Sequence, residues 1–423
     1  MPTLSSDIGL SFEVSERFRE VPELAVGPVC LVASVDPWDF PDAFRPNITV
    51  EVDGLAPDRA TVVQLSALTI AAQMALGRHV IACELWMRPG EQEPGEGTGR
   101  RIISVYPAMG TTVVQLQYVW ICGNRSVTIS AQCGAGNYPG TSRAFDLAVR
   151  SLRCDFEDPH VVADPSTMPR LDPWMLERGD GRAAWEYLGG VRAAQPFRSP
   201  GPMLAEDQIT ALRKGKLRRG TDARALQAGG FVDEDRQLSE LGAVAHAVLE
   251  SPMRRLGVGV RCDGVPDVSA VSAFLQPDSA VVVADVPPGG AGRGQTVEVI
   301  ATGTLVDVLV RWLGLAPAWS FSVSEDGQSR ELDGRVLDAR LADPAAPPPA
   351  DANPGLARMW GLPWQEVSLG STRRDTGVQR VITTTESGSY LLTRDGSSSG
   401  GSLTPLPASQ YLVMLMRFAG FEI

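Results

Sequence analysis

Lysine is almost missing from this chain of 423 residues: Lys214 and Lys216 are the only two, and arginine fills the other basic positions. The 38 basic residues face 50 acidic ones, a net charge of -12. Proteins that neutralise phosphate backbones carry a basic excess or a basic face, so the balance speaks against nucleic acid and for solubility. Histidine is nearly as scarce. His79, His160 and His246 fall on a strand edge, a joint and a helix, too scattered for the metal site or acid-base pair that histidine usually builds. Cysteine numbers six with no C-x-x-C pair, which excludes a disulfide scaffold and predicts buried thiols in a reducing compartment. No run of eighteen apolar residues occurs, and the start MPTLSSDIGLSFEV has neither a basic nor an apolar leader region. We therefore expect a cytoplasmic protein with no membrane insertion.

What is present is an ordinary globular mix, 43% hydrophobic and 21% charged, in a chain too long for one core. Up to about residue 155 period-two alternation predominates and predicts an α+β domain. Strands are expected at Ile8 to Phe12, Val29 to Val35, Asn47 to Val52, Val80 to Met87, Arg101 to Tyr106, Thr112 to Ile121 and Ser126 to Cys133. The last two should form a hairpin, because Gly123 and Asn124 between them tolerate positive φ. Helices are expected at Asp58 to Leu76 and Thr141 to Leu152, with Asp58 and Thr141 as N-caps.

Residues 156–203 are proline-rich and read as a linker, partly docked through Trp174, Trp185 and Tyr187. Residues 204–423 form the second domain. Helical windows at Ala205 to Leu217, Asp222 to Ala228 and Leu238 to Leu249 precede strands at Leu256 to Cys262, Ala270 to Leu275, Ala280 to Val286 and Thr296 to Ile300. A helix from Gly303 to Leu313 follows, and a proline joint at 343–354 divides this half. Beyond it come strands Val378 to Thr385, Ser389 to Thr393 and Gly401 to Thr404, and a closing helix Ala408 to Ala419. At one constant offset, Leu309, Arg311, Trp312, Gly314 and Leu315 match Leu415, Arg417, Phe418, Gly420 and Phe421. That echo predicts a pseudo-two-fold domain in which each half supplies antiparallel strands and a helix.

No motif carries catalysis: there is no G-x-S-x-G elbow and no H-E-x-x-H. We expect no enzyme, cofactor or metal. The stretch Pro288 to Gly294 is glycine-rich but lies between two strands, so no helix N-terminus follows to receive a phosphate. Asp233, Glu234 and Asp235 read as compensation for the next helix dipole. The basic run from Arg213 to Arg219 lacks interleaved aromatics and reads as a solvated helix end or a contact with an acidic partner. The closing helix is apolar nearly all round. Tyr411, Leu415 and Phe418 fill one face, while Leu412, Val413, Met414 and Met416 fill the others. Either a second domain covers that second face or those four residues bind a partner.

Two stretches resemble known families. The strand Gly9-Leu-Ser-Phe-Glu, the strand Asn47-Ile-Thr-Val-Glu-Val, the hairpin Val114 to Ile121 with Val127 to Ala131, and the helix Phe145 to Leu152 together resemble the PsbP-like α+β sandwich shared with LpqN proteins. Gly229-Gly-Phe-Val-Asp-Glu-Asp-Arg-Gln-Leu, Ala280-Val-Val-Val-Ala-Asp, Trp312-Leu-Gly-Leu and Ser389-Tyr-Leu-Leu-Thr-Arg-Asp-Gly resemble the EspG family of ESX (type VII) secretion chaperones. That resemblance implies a quasi-two-fold antiparallel sheet with helices. It also implies a non-enzymatic cytoplasmic chaperone or adaptor whose partner is a secreted helical protein or a component of the secretion system. The alternative is a structural or scaffold component of another bacterial assembly.

Overall fold

The computed structural model describes residues 2–36, 44–55, 61–86, 97–154, 188–217, 222–287, 294–318, 323–324, 329–372, 378–384, 388–394 and 400–421. The N-terminal part runs β1 (Thr3–Ser6), β2 (Leu10–Glu13), β3 (Phe18–Glu20), β4 (Val29–Val35), β5 (Asn47–Gly54), α1 (Val62–Ala75) and β6 (His79–Trp86). It continues through β7 (Gly99–Ala108), β8 (Thr111–Cys122), β9 (Arg125–Gly134), α2 (Tyr138–Arg150) and β10 (Arg153–Cys154). Seven of these strands form an antiparallel sheet in the order β3-β4-β5-β9-β8-β7-β6, and β1, β2 and β10 form a small second one. The β8-β9 hairpin closes where expected: Cys122 pairs with Arg125, leaving a two-residue turn in which Gly123 has φ +59°. Asp58 lies outside the described residues; Thr61 caps α1 in a reciprocal pair with Gln64, each bond 3.1 Å. The second helix starts at Tyr138 rather than Thr141 because Pro139 suits a first turn and Tyr138 is buried.

The C-terminal part repeats one order of elements, with three helices before the meander in the first copy and two in the second. After α3 (Gly189–Ala194), the first copy is β11 (Met203–Leu204), α4 (Glu206–Arg213), α5 (Arg224–Ala228), α6 (Glu240–Glu250), β12 (Arg254–Cys262), β13 (Val268–Leu275), β14 (Ser279–Asp285), β15 (Gln295–Ala301) and α7 (Leu305–Leu313). The second is β16 (Arg330–Asp333), α8 (Gly334–Ala342), α9 (Pro354–Gly361), β17 (Trp364–Ser371), β18 (Gln379–Thr384), β19 (Gly388–Arg394), β20 (Gly400–Leu406) and α10 (Ala408–Ala419). Each copy is an edge strand, a helical layer, a four-strand meander and a closing helix. They join antiparallel through β12 and β17 into one ten-stranded sheet, β11-β15-β14-β13-β12-β17-β18-β19-β20-β16. The closing helices end alike. Gly314 and Gly420 take left-handed φ of +61° and +100°, and the next residue donates its N–H back to Val310 and Met416 respectively, at 3.1 Å in both. The proline-rich stretch 343–354 does not separate the copies. It connects α8 to α9 inside the second one, where Asn353 caps α9 ahead of Pro354 and Trp360 Nε1 donates to Ala346 O at 3.0 Å.

Helices α7 and α10 lie side by side between the two large sheets, and this placement corrects the partner-binding role expected of α10. Leu412 and Met416 are completely buried, and Val413 and Met414 are half-buried against the same core. An all-round apolar helix needs cover on every side. Here the ten-stranded sheet supplies Val258, Val271, Val282, Val367 and Leu369, and the seven-stranded sheet supplies Ile81, Ile103, Val105, Leu116 and Tyr118. One continuous core therefore runs through both domains.

Polar groups close the rim of this seam. Thr112 N and Oγ1 both donate to Gly303 O, at 2.8 and 3.0 Å, and Asp307 N donates to Thr112 Oγ1 at 3.1 Å. Arg311 holds both oxygens of buried Asp307 at 2.9 Å and donates to Gly77 O in the other domain. Gln195, within the expected linker, uses its amide like a short strand, giving to Val80 O at 2.6 Å and accepting from Val80 N at 3.0 Å. Trp174, Trp185 and Tyr187 lie outside the described residues, whereas Leu188 and Val191 pack on α1 and β6. Buried His79 places Nε2 2.7 Å from Leu315 O, just past the end of α7. A carbonyl accepts only, so Nε2 carries the proton. Burial is the main cause that lowers the His79 pKa from 6.5 to about 4; the Leu315 bond opposes it and Arg311 adds to it.

Three outcomes follow from the seam. Leu412→Ala, measured by chemical denaturation, costs about 2–5 kcal/mol, the price of an internal cavity. A Cβ at Gly303 would lie 2.5 Å from Gly110 O, so Gly303→Ala destabilises by about 1–3 kcal/mol or more, whereas Gly370→Ala, with nothing within 4 Å, stays within about 0.5 kcal/mol. Because the folded His79 pKa lies below the unfolded one, stability is unaffected above pH 6.5 and falls as pH drops from 6.5 to about 4. This group accounts for about 3 kcal/mol of that fall, and His79→Gln, which keeps an N–H donor without titrating, flattens it in urea titrations across that pH range.

Candidate partner-binding face

The ten-stranded sheet has one face sealed by α7 and α10. On its other face each copy lays its helical layer on its own outer strands. Ile209 and Leu212 of α4 and Val248 and Leu249 of α6 pack on Phe274, Val281, Val283 and Val297. Leu337 of α8 and Leu356, Met359 and Trp360 of α9 pack on Trp364, Ile382, Tyr390, Leu392 and Leu403. Between the two layers, part of the central strands β13, β12, β17 and β18 is left uncovered among the described residues.

The strand registers specify what faces this trough. One row runs Ser272, Gly257, Gly370, and the next runs Ala270, Gly259, Ser368, Arg380. A third runs Val268, Arg261, Glu366 and ends at Ile382, which is already buried under the second copy's helices. The floor is thus small: Gly257 is exposed, Gly259, Ser272, Ser368 and Gly370 are half-buried, and a Cβ at Gly370 would meet open space. From Arg255 to Arg261 the trough is roughly 20 Å long, and from β13 to β18 it is roughly 14 Å across, by ordinary strand rise and spacing. An α-helix with side chains, about 10–12 Å across, fits that width.

The rim is cationic although the chain is acidic. Arg255 and Arg213 both stack on Phe274, their guanidinium carbons 5.6 and 5.5 Å from its ring centre. Lys214 and Lys216 extend from the same helix end, and Arg218 and Arg219 of the basic run lie outside the described residues. Arg261 is exposed at the other end. Neither Arg255 nor Arg261 has a carboxylate against it among the described residues, whereas Arg380 pairs with Glu366 at 3.3 Å. Asp285 at the margin already accepts from Ala270 N at 2.7 Å and Gln295 Nε2 at 3.0 Å.

The residues singled out from sequence meet different fates. Leu412, Val413, Met414 and Met416 are on the sealed side of the sheet and do not reach the trough. His79 is at the seam; His246 donates from Nδ1 to Arg213 O at 3.0 Å and its Nε2 lies 3.4 Å from Glu250; His160 lies outside the described residues. Asp233 closes a turn by accepting from Gln237 N at 2.8 Å. Pro288 to Arg293 lie outside the described residues, between the paired strands β14 and β15. Strand β17, which forms half of the trough floor, was not expected at all. Only Val367 and Leu369 alternate in it, but the offset of the internal echo carries β12 onto overlapping residues and could have located it.

No family model matches the chain, and no curated protein matches it. Among solved structures, cyanobacterial PsbP from Synechocystis sp. PCC 6803 is 13% identical, with 36% of this chain covering 91% of that one at a TM-score of 0.28. LpqN of Mycobacterium tuberculosis, described as involved in cell envelope biogenesis, is 14% identical, with 34% of this chain covering 81% of that one at a TM-score of 0.23. A Pseudomonas aeruginosa protein of unknown function is 10% identical, with 36% covering 86% at a TM-score of 0.20. Likeness of this degree carries no argument about function. It concerns about a third of the chain.

Proposed function

We propose that this protein is a non-enzymatic chaperone or adaptor, acting in the cytoplasm, that receives a helical segment of a secreted client of a type VII (ESX-like) system in the trough of its ten-stranded sheet. The observation that carries the reading is a small-residue floor of helix width, uncovered among the described residues, whose rim holds Arg255 and Arg261 with no carboxylate against either among those residues. A floor of glycine and serine lets a helix backbone approach closely. The arginines select a helix that presents Asp or Glu beside its apolar stripe, and they steer its encounter. The pseudo-two-fold sheet supports the reading as well, being the architecture implied by the EspG resemblance of residues 204–423.

The test is co-expression with the helical secretion pairs encoded in the same genome, followed by light scattering and calorimetry on the purified mixture. A stoichiometric complex is expected, weakening as salt rises. Arg255→Glu with Arg261→Glu should lower affinity at least about tenfold, from two interfacial charge contacts, with the melting temperature unchanged. Absence of a complex with every such pair, or an affinity indifferent to the double reversal, overturns the reading.

A further inference from the structure

A second site lies away from the trough, where α3, the end of α7, the β18-β19 hairpin and the start of α10 meet. It is a cavity of about 40 Å³, room for about three waters. Its polar lining includes Arg192, Thr383, Ser389 and Tyr411; Leu188, Leu315 and Leu406 supply an apolar wall. Thr383 and Ser389 bond to each other at 3.0 Å.

Two of these groups lack the partners that burial normally demands. Tyr411 is 1% exposed, and its hydroxyl has no hydrogen-bond partner among the described residues. A buried hydroxyl left this way is costly, and native structures keep such groups few. Arg192 is half-buried, donates from Nη2 to Gln365 Oε1 at 2.8 Å, and has no carboxylate against it among the described residues. Its guanidinium lies against Gly314, at the negative end of α7, which compensates the charge in part. Several of its five N–H donors are left over. A guanidinium, an unpaired hydroxyl and an apolar wall around one cavity match a molecule with an anionic head and a short alkyl body.

We propose that this cavity binds a small carboxylate of two or three carbons, its head held by Arg192 and the Tyr411 hydroxyl and its alkyl group set against the leucine wall. Three waters occupy roughly 90 Å³ of liquid, which sets that size limit. The carboxylate gives Tyr411 an acceptor and Arg192 a counter-charge. It also ties α3 to both copies of the repeat, so occupancy stabilises the junction between the domains.

Thermal unfolding and calorimetry with acetate and propionate test this, against potassium chloride at equal ionic strength and against inorganic phosphate. Propionate is expected to bind at one site and to raise the melting temperature above the chloride control. Arg192→Gln removes both effects. Tyr411→Phe weakens binding about tenfold, the loss of one hydrogen bond to a charged group, and raises the melting temperature of the unliganded protein by relieving the unpaired hydroxyl. Equal shifts with chloride, which mean water alone fills the cavity, overturn the proposal. An equal response to phosphate overturns the carboxylate assignment, and so does wild-type binding by either variant. Should Arg192→Gln not fold, Tyr411→Phe decides alone: unchanged propionate affinity in that variant overturns the proposal.

Discussion

The two closing helices share one requirement: each is apolar on faces that a single sheet cannot cover. Leu309, Val310 and Trp312 of α7 and Leu412, Leu415 and Met416 of α10 are all buried. Each such side chain contributes about 1.5–3 kcal/mol when removed from water. The ten-stranded sheet alone would leave the faces turned away from it wet. The seven-stranded sheet supplies the missing cover, so the N-terminal domain completes the core of the repeat instead of hanging from it.

Other features follow from that arrangement. Close approach of the β7-β8 turn to α7 requires a residue without a side chain at Gly303, whose carbonyl then satisfies Thr112. The exposed edge of β6 would be a sticky strand; Gln195 blunts it and α10 passes beside it. Sealing one face of the large sheet also determines which face is left open. Because the helical layers belong to the outer strands of each copy, the uncovered region falls on the strands where the copies meet.

Sequence periodicity located many of the strands, and β2 and β12 alternate buried and more exposed positions as it requires. Val29–Val35 and Ala408–Ala419 have the bounds expected of them. The echo of Gly314 in Gly420 foretold the two-fold sheet, since only a left-handed cap requires glycine at both places. What sequence could not decide was who covers α10, because an apolar face looks the same whether a domain or a partner lies against it. The trough was illegible for a different reason. Its floor consists of residues with little or no side chain, and β17 carries too few apolar residues to register as a strand. Tyr411 falls on one apolar face of the helix in the sequence, but nothing local signals that its hydroxyl finds no acceptor among the described residues.

The central claim is that two sheets and two helices make one cooperative unit. Native-state hydrogen exchange read by mass spectrometry tests it directly, by comparing the opening free energies of β8 in the first domain and of α10 and β12 in the second. A shared core predicts that the most protected amides of all three exchange through the same global opening, with equal free energies and equal denaturant dependence. Separate openings, with β8 exchanging through a much cheaper unfolding while α10 remains protected, would contradict it.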